Sequence, residues 1–128
     1  MTHRGTNGKW IARSLAAVAV LLLAYFVVLV APIPFVSSWW APGGTKGDLL
    51  RVQHRMADWL VLRRSLDGLP RSEVVAMLGE PLEHGYFRDY DLVYRLGMER
   101  GFMSIDSEWL AVILDESGRV ASVEIVRD

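Results

Sequence analysis

The chain has 128 residues, 52% of them hydrophobic, no cysteine and a formal net charge of -1. That length holds one modest domain plus a tail, and the missing thiols exclude disulfides, thiolate metal sites, cysteine nucleophiles and attachment through a lipoprotein cysteine. Arg4, Lys9 and Arg13 stand without an acid in 1–13, whereas 67–128 carries six basic against thirteen acidic residues, a balance that argues against a nucleic-acid-binding face.

After the basic tail of 1–13, residues 14–31 (SLAAVAVLLLAYFVVLVA) are almost wholly apolar, about the length a helix needs to cross a bilayer core. Trp10 at one end and Trp39 and Trp40 at the other suit interfacial anchoring. The expectation is a single transmembrane helix, held in the inner membrane with its positive flank cytoplasmic and the following domain outside. A cleaved signal peptide is the rival reading. The block exceeds a usual signal-peptide apolar region, however, and no small-x-small cleavage site ends it before Pro32.

Residues 32–47 hold Pro32, Pro34, Pro42, Gly43, Gly44 and Gly47 and read as a linker between the membrane helix and a domain over 48–128. Thr45 with Asp48 has the form of a capping box before a helical run to about Leu66. Leu49, Val52, Met56, Trp59 and Leu60 recur at helical spacing, with Arg51, Arg55, Asp58 and Arg63 opposite, so one face should bury and the other stay wet. That wet face is basic. It reads either as the solvated side of a core-packed helix or as a surface resting on anionic headgroups.

Asp67 and Gly68 turn the chain into a short helix over 69–81, LPRSEVVAMLGEP. Pro70 fits its first position, Glu73 suits the positive N-terminal end, and Gly79 with Pro81 stops it. Val74, Val75, Met77 and Leu78 supply its apolar stripe. The period then changes to two: Tyr86, Tyr90, Leu92, Tyr94 and Leu96 alternate with Asp89, Asp91 and Arg95, the pattern of a half-buried strand. A loop follows over 97–106 (GMERGFMSID). The run 109–114 (WLAVIL) reads as a central strand, Asp115, Glu116, Ser117 and Gly118 as a hairpin turn, and 120–126 as the last strand. The expected fold is therefore α+β: an N-terminal transmembrane helix, then two helices packed on a three-stranded antiparallel sheet, in the order α-α-β-β-β.

That order, together with Gly68, Val74, Leu78, Gly79 and Pro81, resembles the SmpA/OmlA family of BamE-like domains, which open on a helix of the type G-x-(Ser/Thr)-x-x-x-V-x-x-x-L-G-x-P. The similarity covers roughly residues 66–126. It implies a protein-binding module, since the related β-lactamase-inhibitor-like folds use the same two-helix and sheet arrangement for that purpose.

Candidate chemistry is sparse. His54 and Asp58 stand one helical turn apart, a spacing that reads as a surface pair more readily than as part of a metal site. His84, Asp106 and Glu108 would form an acid and base set if the fold brought them together, which defines a small hydrolase or ligand-binding alternative. No phosphate loop or nucleophile elbow is present, and no catalytic, cofactor or metal residue is assigned. Phe87, Phe102 and Met103 are the candidates for partner binding, Phe87 because it falls on the polar side of its strand and the other two because they lie in the loop. The implied partners are the lipid bilayer, through 14–31, and a protein of the cell envelope.

Overall fold

A computed structural model describes residues 5–41, 43–44, 50–83 and 85–128. Two compact units divide the chain, Met1–Ala31 and Pro32–Asp128. The first is helix α1, Gly5–Val30. Its segment Asn7–Val30 is long and apolar enough to cross a membrane.

The second unit packs helices α2 (Val52–Leu62) and α3 (Arg71–Leu78) on the sheet formed by β1 (Leu92–Met98), β2 (Ser107–Leu114) and β3 (Val120–Arg127). The strands are antiparallel and lie in chain order, with β2 central. Strand side chains alternate between faces. Thus Leu92, Tyr94, Leu96, Leu110 and Val112 join Met56, Ala57, Leu60, Val74 and Leu78 in the main core, beneath the helices. On the opposite face Val93, Trp109 and Ala111 are covered by Phe87, Tyr90 and Val126. A two-sided demand of this kind explains why β2 is apolar along nearly its whole length.

The helices follow their sequence signals with local changes. Pro70 occupies the cap rather than the first turn of α3, in extended conformation, and Gly79 ends the helix at φ 88°. Val74 and Leu78 are buried, as the apolar stripe requires. Helix α2 starts at Val52, directly after Arg51 in the left-handed region (φ 49°). The expected capping pair Thr45 and Asp48 falls outside the described residues.

Three expectations change. Residues 32–41 are not a spacer: Ile33, Phe35 and Val36 pack against the core and Trp40 is buried within it. The Trp40 indole N–H donates to the Leu78 carbonyl at 2.9 Å, satisfying an acceptor at the end of α3. Trp40 is therefore no interfacial anchor, whereas Trp39 is exposed. The helix α2 face carrying Arg55 is also drier than its charges suggest, since Gln53, His54 and Arg55 are all buried. Finally, β1 begins at Leu92 rather than Tyr86. The Asp91 carboxylate accepts the Leu114 N–H at 2.7 Å and so caps the ladder there, leaving Tyr86 exposed.

Candidate functional site

Strands β1 and β2 are joined by a loop, residues 99–106, that carries the most prominent exposed apolar group of the domain. Phe102 is fully exposed, and Met103 and Ile105 are 69% and 72% exposed. Apolar side chains this exposed do not hold the loop to the body of the domain. Instead it is fastened at its base by charge.

The fastening begins with Glu108 on β2, which points to the helix side and is wholly buried. Arg100 reaches in from the loop: its guanidinium lies 2.9 Å from the Glu108 carboxylate, its backbone N–H donates to the same group at 3.0 Å, and its second edge bonds Asp58 of α2 at 3.0 Å. Arg127 at the end of β3 pairs with Glu108 at 3.4 Å and with Glu99 at 3.1 Å. Glu108 thus ties the loop to β3, and Arg100 carries the tie on to Asp58 of α2. Burial on its own raises the Glu108 carboxyl, but the side-chain and backbone bonds from Arg100 outweigh it and hold the group below the usual carboxylate range. Arg100 is likewise driven above its ordinary value by Asp58 and Glu108, against the opposing effect of its own burial.

His54 closes the inner wall of this cluster. Its Nε2 lies 2.9 Å from the Met98 carbonyl, so that nitrogen carries the proton and donates. Nδ1 is buried and has no partner among the described residues. Burial pushes the imidazole below its usual value, with Arg100 and Arg51 adding to the effect while Glu108 and the Met98 carbonyl oppose it. The ring rests on Gly97, where β1 bulges between Arg95 and Gly97. A Cβ at Gly97 would stand 3.0 Å from the ring, and the backbone there has φ +140°. Glycine is needed at this position on both counts.

Of the residues singled out in the sequence, Phe102 and Met103 come together at the loop tip. Phe87 does not join them and is not an exposed side chain: it is half-buried, its ring 5.6 Å from Trp109 and 6.2 Å from Tyr90. Glu108 is engaged with two arginines, while Asp106 is exposed and its carbonyl receives the Glu99 N–H at 2.8 Å. His84 lies outside the described residues. Among the described residues no three His, Asp or Glu groups converge as a metal set. The sequence reading named Glu108, but in a set with His84 and Asp106, and named His54 only for its spacing to Asp58; neither gave a sign that Arg100 would enter between helix and sheet to join them.

No family model, curated protein or solved structure matches the chain.

Proposed function

We propose that this chain is a single-pass membrane protein whose α+β domain lies outside the cytoplasm and binds or scaffolds another protein of the cell envelope through the tip of the β1–β2 loop. The observation that carries the reading is the exposed set Phe102, Met103 and Ile105 on a loop held at its root by Arg100, Asp58 and Glu108. Fully exposed large apolar side chains cost solubility, and a cluster of them on a fastened support is the form an interface anchor takes. Holding the root in advance lowers the ordering entropy that binding would otherwise have to meet. The apolar helix Asn7–Val30 supports the tether, and the basic residues Arg4, Lys9 and Arg13 support a cytoplasmic N-terminus. The likeness of 66–126 to SmpA/OmlA domains supports the same class of activity.

The test is photo-crosslinking in native membranes with a probe at Phe102 and a control at Arg119 in the β2–β3 turn. A discrete protein adduct from position 102 and none from 119 is expected. Phe102→Asp should weaken capture by about 2 kcal/mol, roughly thirty-fold in affinity, as for a central anchor, with the unfolding midpoint unchanged because the ring touches no core. Equal adducts from both positions, or lipid adducts alone, would overturn the reading.

A further inference from the structure

The domain has no spacer between itself and the apolar helix. Helix α1 ends at Val30 and the domain begins at Pro32, and the next residue is already docked, with the Ile33 N–H donating to the Arg55 carbonyl of α2 at 3.2 Å. Two chain links reach about 7 Å at most. The apolar run after Arg13 offers no spare length either: residues 14–31 as a helix span about 27 Å, against a bilayer core of about 30 Å. A helix that buries this run therefore ends at the lipid boundary and delivers Pro32 into the headgroup layer.

What surrounds Pro32 in the domain is suited to that layer. Pro32 shares a shallow cleft of about 350 Å³ with Asp58, Val61, Leu62, Glu124 and Ile125. Leu62 is 69% exposed there, at the end of α2, and it is followed by two exposed arginines, of which Arg64 pairs with Asp67 at 2.6 Å. Of the two acids of the cleft, Asp58 is neutralised by Arg100, while Glu124 accepts the Tyr90 hydroxyl and keeps its charge. At the rim itself the exposed Leu62 and Arg63 stand side by side, the apolar and cationic pairing that suits an interface of acyl carbon and lipid phosphate.

We propose that the rim formed by Pro32, Leu62 and Arg63 rests on the bilayer, with Leu62 immersed at the headgroup boundary and the Arg63 guanidinium on the phosphates of anionic lipid. The inference rests on α1 being the membrane anchor. It assigns the domain one face toward the membrane and thereby fixes which surfaces stay open to proteins.

The absence of cysteine permits single-cysteine labelling of the full chain. Nitroxides would be placed by Leu62→Cys, by Tyr86→Cys on the loop covering the sheet face away from α2, and by Leu21→Cys within α1. The protein would be reconstituted in vesicles of phosphatidylcholine alone and of phosphatidylcholine with phosphatidylglycerol. Accessibility to oxygen against a water-soluble nickel chelate reads immersion. The expected result is lipid exposure at 21 and 62 and water exposure at 86. Adding Arg63→Gln should lower the immersed-to-free ratio at 62 about five-fold in the anionic vesicles, the effect of one cation at such a surface, and leave it unchanged in the neutral ones. Lipid exposure at 21 with water exposure at 62 in both vesicles overturns the inference and leaves the anchor standing. Water exposure at 21 removes the anchor and the inference together.

Discussion

A buried carboxylate is tolerated when its charge is met at close range, and removal of one partner then costs about 3–5 kcal/mol. Glu108 meets the condition through Arg100 and Arg127. His54 beside it is a different case, for burial favours its neutral form. The unfolded chain binds a proton on this imidazole at higher pH than the folded one. Its contribution to stability is therefore complete above the unfolded value of about 6.5 and is lost as pH falls from there through the lower folded value. The groups that face it are Glu108 on β2, Arg100 on the loop, Arg51 ahead of α2 and the Met98 carbonyl of β1. Glu108, also lowered, adds a loss of the same sign at more acidic pH. Denaturant unfolding from neutral to acid pH should show two successive declines. His54→Gln, which keeps a donor for Met98, should remove the first decline and leave the second. An unaltered first decline would mean that His54 is not its source.

Elements were legible where their signals were local. The stop at Gly79, the turn ending in Gly118 at φ 78° and the apolar run of β2 all lie where turn chemistry and period place them. Errors arose where a distant partner overrode local composition. Pro32, Pro34 and the glycines made 32–47 read as a linker, but Trp40 finds the Leu78 carbonyl thirty-eight positions away, a contact no window of sequence contains. Similarly, Arg100 in a loop gave no indication that it would neutralise a carboxylate inside the domain. Trp40 supplies the check at this scale. Trp40→Ala opens a core cavity and strips the end of α3 of its cap, so a loss of about 3–5 kcal/mol is expected in chemical denaturation. A segment that merely drapes over the surface would register within about 0.5 kcal/mol.

For the molecule as a whole, the docking of 32–41 moves the start of the folding unit upstream of α2. A fragment covering 32–128 should give dispersed amide resonances and a cooperative unfolding transition, whereas one covering 48–128 should be strongly destabilised, since it leaves the core without Ile33, Phe35, Val36 and Trp40. Equal stability of the two fragments would return that segment to the role of a tether.

The strand order equals the chain order, which has a bearing on biogenesis. Each strand pairs with its sequence neighbour, so the sheet closes through short loops and should zip quickly once all of it is present. The central strand, however, comes after both helices. A chain emerging N-terminus first therefore shows Trp40, Leu60, Val74 and Leu78 uncovered until Leu110 and Val112 arrive. During that interval the nascent domain is a sticky intermediate, the circumstance in which a chaperone has the greatest opportunity to shield it.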